Sequence, residues 1–473
     1  MHLIKDSMGD GNIACKLGDP DFKQDYGIKY AYLSGAMYRG IASKELVTAM
    51  GENGFMGFLG VGGVAIEKVA SDIDYIQTHL GTEQAFGVNL LNDLETPETN
   101  QDFIEMYLSK GVSVIEAAAF MQITPALVYF RLKGLQQNQD GTISGSNRII
   151  AKVSRPEVAD AFMRPAPEDI VAALLKQGKV NDLQAQMARH VSMSEDICVE
   201  ADSGGHTDQG IATVLLPSIQ SLRQQIMTEY QYTKKIRIGL AGGIGTPTAA
   251  AAAFMMDADF ILTGSINQCT IEAATSDTVK DLLQTMNVQD TTYAPAGDMF
   301  EMGAKVQVLA TGVLFPARAN KLFNLYRQYK SLDEIPENIR AQLQEKTFRQ
   351  SLDQVWEQVK SYHLSHGRDQ LIEKAERHLK QKMAMTFKWY FAHSTRLALA
   401  GESNQQADFQ VHTGPALGAF NQWVIGTPMA DWRNRNVHKV AELLMLETAK
   451  LISQKYQEFG FHTDCSELKA LET

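Results

Sequence analysis

From about residue 30 to 285, short apolar runs alternate with stretches of helical period. The runs are "AYLSGAM", "GFMGFLG", "AFGVNLL", "VSVIEAAAF", "RIIAKVS", "DICVEAD", "IRIGLAG" and "FILTGSI", eight in all. Runs this uniformly apolar predict strands buried on both faces, as in a parallel sheet covered by helices. Between them "SKELVTAMGENG", "IEKVASDIDYIQTHLG", "NQDFIEMYLSKG", "RPEVADAFM", "ATVLLPSIQSLRQQIM" and "TPTAAAAAFMM" read as helices, several of them ended by glycine. Eight alternating units fit a closed barrel better than an open sheet. The expected fold is therefore α/β, a (β/α)8 TIM barrel. One further run, "ALVYFRLKG", just before "RIIAKVS", reads as a ninth strand candidate.

The rhythm stops near residue 286. Long polar segments of helical character, "IPENIRAQLQEKTFRQSLDQVWEQVKSYH" and "RDQLIEKAERHLKQKMAMTFKWYFAHSTRLAL", follow and predict a helical subdomain inserted late in the chain. "VHKVAELLMLETAKLISQKYQEF" then has the apolar spacing of a helix that packs back on the main body. The expected layout is an N-terminal extension over 1–27, a barrel over 28–290, a mainly helical substrate or partner subdomain over 291–400, and a C-terminal segment over 401–473 returning to the barrel.

Length agrees with this, because 473 residues exceed what one compact core covers. Hydrophobic content of 44% and charged content of 21% are those of a globular protein. A net charge of -11 argues against nucleic-acid binding. Cys15, Cys198, Cys269 and Cys465 are far apart, so neither a zinc site nor a disulfide framework is expected, and His363 with His366 on a polar helix reads as solvated surface. The first residues lack the apolar run of a signal peptide and no stretch is long enough to span a bilayer, so a cytoplasmic location is expected.

Chemistry in such a barrel sits just beyond the C-terminal ends of the strands. The residues there are Gly35-Ala36-Met37 after the first run, Asn89 after the third, Lys152 in the fifth, Ser203-Gly204-Gly205-His206 after the sixth, Gly242-Gly243-Ile244-Gly245 after the seventh, and Gly264-Ser265 at the eighth. Glycine turns on the last two strands, with Thr246-Pro247 as cap and first helical residue, make an anion site of free amides. FMN, a planar cofactor with a phosphate tail, suits that arrangement. Gly60-Val61-Gly62-Gly63-Val64-Ala65 satisfies a dinucleotide fingerprint, yet the next strand ends in Asn89 and not in an acid, so it reads as a barrel turn. His206, beside its glycine pair, can hydrogen-bond a carbonyl when neutral or donate a proton when charged.

"SGAM", "FGVNL", "DSGGH", "AGGIGTPTAAAAAF" and "TGS" resemble the flavin-barrel motifs of the nitronate monooxygenase and FMN-dependent enoyl reductase superfamily. "GDMFEMGAKVQVLATGVLFPARANKLFNLYR" and "HTGPALGAFNQWVIGT" are more specific. They resemble the trans-acting enoyl reductase subunit of polyunsaturated fatty acid and polyketide synthases. That resemblance implies NADPH-dependent reduction of a carrier-protein-bound 2-enoyl thioester through FMN. It implies that Ala36, Met37, Asn89 and Lys152 contact the flavin ring or ribityl chain and that Gly242, Gly243, Gly264 and Ser265 cradle its phosphate. Gly35, Ser203, Gly204, Gly205 and Ile244 complete the cofactor-binding set, and His206 serves substrate chemistry. The alternative is a nitronate monooxygenase oxidising small nitronates with oxygen, for which the long helical insertion has no evident use.

Charge adds a partner. From Gly303 to Leu332 there is no acidic residue, while Lys305, Arg318, Lys321, Arg327 and Lys330 are basic. Such a strip suits an acidic acyl carrier protein and the phosphate of its prosthetic arm. A homodimer is compatible with the sequence.

Overall fold

The structure, a computed structural model, describes residues 11–81, 84–92 and 97–460. Residues 1–10 of the expected N-terminal extension, and Cys465 with the end of the C-terminal segment, lie outside the described residues.

Eight strands form as read. They are β1 (Tyr32–Ser34), β2 (Met56–Leu59), β3 (Gly87–Leu91), β4 (Val114–Ala118), β5 (Arg148–Val153), β6 (Asp196–Glu200), β7 (Arg237–Ala241) and β8 (Ile261–Thr263). Each pairs in parallel with its neighbours in chain order, and β1 pairs with β8 through Tyr32–Ile261, Leu33–Leu262 and Ser34–Thr263, closing the barrel. Most strand residues are buried, as near-continuous apolar runs require. The ninth candidate is a helix. Thr124 caps it by accepting from the Leu127 amide, Pro125 takes the first helical position, and Pro125–Lys133 runs to Gly134. Arg131 within it is buried because its guanidinium meets Glu195 Oε1 at 2.6 Å and donates to the carbonyls of Ser192 and Asn147.

The expected extension has a structural task. Helix Pro20–Tyr26, capped by Asp19, joins the apolar cluster of the barrel interior, where Phe22 stacks on Phe260 with ring centres 4.3 Å apart. Below it lies a buried ion pair. Arg237 donates Nε to Asp196 Oδ1 at 2.6 Å and Nη2 to Oδ2 at 2.9 Å, and its Nη1 reaches Asp25 Oδ2 at 2.9 Å. Tyr26 Oη adds a 2.7 Å bond to Asp196.

The chain clusters into two compact units, cut elsewhere than at 290 and 400. One comprises residues 1–201, 210–274 and 433–473, and the other 202–209 and 275–432. Within the barrel unit the helix Val437–Glu458 packs on the helices Pro247–Met255 and Lys44–Glu52. Residues 401–432, read as part of the returning segment, belong to the second unit.

The second unit is mainly helical, but it opens on a sheet that the sequence reading did not anticipate. Strands Thr291–Pro295 and Lys305–Leu309 form an antiparallel hairpin, and Gly205–His206 adds to its edge. Helices Phe315–Gln328, Leu352–Ser365 and Leu379–Ala400 cover an aromatic core in which Phe300 meets Phe323, Tyr326 and Phe391 at 5.2–5.5 Å between ring centres. Among the described residues no helix is long and apolar enough to cross a membrane.

Removing one partner of a buried ion pair strands the other charge, which costs about 3–5 kcal/mol. Arg237→Leu should therefore lower unfolding stability by about that amount in denaturant titration, and the double change with Asp196→Leu should recover much of it. An Arg237→Leu protein as stable as the parent would show that the pair does not hold the barrel floor.

Candidate active site

In the barrel unit, the predicted residues of β1, β3 and β5 converge on an acid that sequence reading passed over. Glu116, in β4, is fully buried. Its Oε2 accepts from the Ala36 amide at 3.2 Å and from Asn89 Nδ2 at 3.0 Å, while Oε1 has no hydrogen-bond partner. Asn89 is itself fixed, since Tyr107 donates its hydroxyl to the Asn89 carbonyl at 2.7 Å. Burial pushes the Glu116 carboxyl above its ordinary range, against the pull of Lys152. Lys152, with little exposure, meets Glu200 Oε1 at 3.1 Å. Burial works against its ammonium, but Glu200 and Glu116 outweigh that and hold it well above the usual lysine range. A carboxyl inside the largely apolar "VSVIEAAAF" was the signal available in the sequence.

At the ends of β7 and β8 the glycines leave room. Gly242 and Gly243 have φ of 88° and 75°, the left-handed region that glycine adopts without penalty. A Cβ added at Gly243 or Gly264 would meet nothing within 4 Å. Thr246 accepts from the Ala249 amide and Pro247 opens the nine-residue helix Pro247–Met255, so free amides face the same turn. Ile244 is buried, and Ser265 is half-buried beside Gly264. Ala36 and Met37 are half-buried after β1, and Gly35 has no space for a side chain, because Leu262 Cδ2 would lie 2.5 Å from its Cβ. Open space over left-handed glycines, a helix start, a buried cation and an unpartnered carboxyl oxygen are what a phosphate-tailed heterocycle requires. The residues fit FMN. The "GVGGVA" segment lies between β2 and helix Ile66–Leu80, as a barrel turn.

Ser203, Gly204, Gly205 and His206 belong to the second unit, so the structure groups them apart from the barrel set. There the glycine pair answers to packing. A Cβ on Gly204 would lie 2.6 Å from the Thr413 backbone, and Gly205, at φ 85°, faces the ring of His412. His206 pairs with Val306 in the sheet and its Nε2 lies 2.9 Å from Asp298 Oδ1. Desolvation pushes the Asp298 carboxyl up, and the hydrogen bond from His206 more than offsets this, leaving it below the ordinary carboxylate range. His412 stands edge-on to His206 with ring centres 6.4 Å apart. Gln410 Nε2 sits 2.7 Å from His412 Nε2. Asp202 is turned to Tyr293 and Thr207, at 2.5 and 2.7 Å.

The basic strip is less uniform than its sequence. Arg318 is drawn inward to the buried Asp408, which also binds Arg349 and Tyr390. Lys305, Lys321, Arg327 and Lys330 are exposed. Asp298 and His412 were the other residues missed, since neither stands near His206 in sequence.

Known proteins resemble the chain closely. Residues 329–409 match the family described as acyl-carrier-protein S-malonyltransferase, inserted helical domain. The crystal structure of the enoyl reductase domain of MlnA, from the macrolactin biosynthesis cluster of Bacillus amyloliquefaciens, superposes with a TM-score of 0.90 at 44% identity, covering 94% of this chain and 99% of that one. The polyketide biosynthesis protein PksE of Bacillus subtilis (strain 168) is 53% identical over 94% of this chain and 58% of its own length. A polyunsaturated fatty acid synthase subunit of Thraustochytrium sp. (strain ATCC 26185 / S-3) is 41% identical over 87% of this chain and 28% of its own. The chain thus spans little more than half of the first of these two curated relatives and under a third of the second.

Burial first, and then His206, press the His412 imidazole down from 6.5 to about 4. Between those values the unfolded chain binds a proton that the folded chain refuses, so stability falls as pH falls from about 6.5 to about 4. The loss should be about 1.4 kcal/mol per pH unit, or roughly 3 kcal/mol across the window. Measured against His412→Gln, which cannot titrate, the parent should show that extra slope in chemical denaturation. Parallel curves for the two proteins would mean that His412 charges as readily folded as unfolded.

Proposed function

The chain belongs to the family of enoyl reductase domains found with polyketide and polyunsaturated fatty acid synthases, and on that premise we propose that it reduces the 2,3 double bond of carrier-protein-bound enoyl thioesters, with FMN in the barrel mouth and NADPH as hydride donor. The observation that carries this reading is the match of nearly the whole chain, helical insertion included, to the MlnA enoyl reductase domain. Nitronate oxidation draws support from the barrel alone, and fold does not decide between reactions.

Bound FMN supplies a two-electron carrier between a nicotinamide and an activated alkene. The amides at Gly242, Gly243, Gly264 and Ser265, with the start of helix Pro247–Met255, hold its phosphate. Ala36, Met37 and Asn89 line its ring and ribityl chain, and Lys152 places a fixed positive charge beside it. Gly35 and Ile244 shape the surrounding backbone, whereas Ser203, Gly204 and Gly205 belong to the second unit and carry no part of this reading. His206 hydrogen-bonds the thioester carbonyl or returns a proton to the α-carbon. Lys305, Lys321, Arg327 and Lys330 attract the acidic carrier, whereas Arg318 is committed to Asp408.

Turnover with NADPH and a carrier-bound crotonyl thioester, run without oxygen and followed by identification of the flavin after denaturation, tests the reading. Saturated thioester should form in step with NADPH oxidation, whereas NADPH consumption that requires oxygen or a nitronate would overturn it. Gly264 offers a clean probe, since it has open space and no positive φ. Gly264→Val should keep its folding midpoint and bind FMN at least about tenfold more weakly, as expected when a branched side chain enters a ligand's volume. Undiminished flavin content would remove Gly264 from the phosphate site. Reversing Lys321, Arg327 and Lys330 to Glu should raise the apparent KM for the carrier-bound substrate about tenfold at low salt, with little change for a free short-chain thioester. Equal loss with both substrates would exclude these residues as a carrier-docking strip.

A further inference from the structure

Glu116 leaves β4, and β2 and β3 stand between that strand and β1 in the closed ladder. Its carboxyl nevertheless accepts from the Ala36 amide beyond the end of β1, so the buried side chain crosses the barrel interior just under the mouth. Oε2 makes that bond, and the same atom takes Asn89 Nδ2 from β3. Asn89 is held twice more, since Nδ2 also donates to the Glu116 carbonyl at 3.1 Å and the Asn89 carbonyl accepts from the Tyr107 hydroxyl. Gly35 leaves room for the crossing, because Oε1 lies 3.4 Å from where its Cβ would stand. One carboxyl thus fixes the turn after β1 against β3 and β4, all within the barrel unit.

The two oxygens of Glu116 are not equivalent. Both donors converge on Oε2, whereas no described residue makes a hydrogen bond to Oε1. An ionised carboxylate accepts at both oxygens, but a protonated one divides into an accepting oxygen and a hydroxyl, which is the division seen here. Charge gives the same answer. Lys152 from β5 and Glu200 and Cys198 from β6 bear on the carboxyl, while Leu262 from β8, Gly35 and Ala36 after β1 and Asn89 from β3 are uncharged. Glu200 already meets the Lys152 ammonium at 3.1 Å, and burial raises the Cys198 thiol well above its ordinary range. A second ionised carboxylate would leave this cluster with a net negative charge away from water, which is costly. We propose that Glu116 is a positioning residue of the barrel mouth, a neutral acid with its hydrogen on Oε1 that holds Ala36 and Asn89 in place through Oε2. Burial raises the carboxyl in the same sense, against the pull of Lys152.

The use of this arrangement rests on the FMN reading. Ala36 and Asn89 line the ring and ribityl chain there, so the acid sets the seat of a cofactor that it need not touch. Its neutrality bears on the electrons, because Lys152 and Glu200 cancel and a further negative charge below a redox group opposes its reduction. Two substitutions separate charge from reach. Gln reproduces the neutral acid, with an amide oxygen for Oε2 and an NH2 for the hydroxyl, whereas Asp keeps the acid but is one methylene too short to span from β4 to Ala36.

Infrared difference spectra of the full chain at neutral pH should contain a protonated-carboxyl band that Glu116→Gln removes, and a parent without that band overturns the proposal. Hydrogen exchange at the Ala36 amide should quicken at least about tenfold in Glu116→Asp and change little in Glu116→Gln, as a lost hydrogen bond requires. Unchanged exchange in Glu116→Asp removes the positioning role. With FMN bound, affinity should fall at least about tenfold in Glu116→Asp and stay within about threefold in Glu116→Gln. The two-electron midpoint potential of Glu116→Gln should match the parent's. A rise of about 30 mV or more, a tenfold shift in the reduction equilibrium, would mean that the parent carries a charged Glu116 and defeats the proposal. If the band and the exchange behave as stated while the protein holds no flavin, the acid stands as proposed and the FMN reading fails.

Discussion

A parallel sheet of strands three to six residues long keeps two unpaired edges until its first strand meets its last, and the ladder from Tyr32–Ser34 to Ile261–Thr263 removes both. Everything the barrel presents depends on that closure. It sets Ser34 beside Thr263, where Asn267 donates to both their hydroxyls, and so fixes where Gly35 and Gly264 begin their turns. It brings Asn89 and Glu116 into register, so that two side chains from adjacent strands hydrogen-bond each other. At the other end of the barrel the Arg237–Asp196 pair joins the starts of two neighbouring strands. One closed ladder thus supports a polar mouth and a charged floor.

The barrel was legible because burial on both faces forces apolar runs, and eight such runs survive any error in their ends. "ALVYFRLKG" misled for the same reason. Its apolar density signals burial but not period, and Thr124-Pro125, a cap followed by a first-turn proline, was the feature that marked a helix. The hairpin over 291–309 stayed hidden because its first strand, Thr291–Pro295, shows no alternation of apolar and polar residues, although Lys305–Leu309 alternates through Val306 and Val308. Asp298 could not be found at all by local reading, since it meets His206 only through cross-strand pairing.

Glycine illustrates a different limit. Gly243 and Gly204 look alike in sequence, each one of a pair after a strand. The first opens onto free space, whereas the second is filled from behind by Thr413. A glycine permits close approach by anything, and the sequence does not say whether the visitor is a ligand or the chain itself. Arg318 makes the same point for charge, because a basic residue in a basic run was turned inward to a buried acid.

The discontinuity of the barrel unit has a consequence for assembly. Its last strand is complete at Thr263, yet helix Val437–Glu458 comes only after an excursion over residues 275–432. The ends of that excursion are tied by the bond from the Ile271 amide to the Arg435 carbonyl and by Glu272 accepting from Asn436 and Val437. Were the excursion a random coil, bringing those ends together would cost on the order of 4 kcal/mol of chain entropy. Folded as a compact body it holds them near each other in advance and raises the effective concentration of the closing helix. Damage far out in the excursion, at a helix that touches no cofactor residue, is thereby transmitted to the barrel as weaker docking of its outer layer.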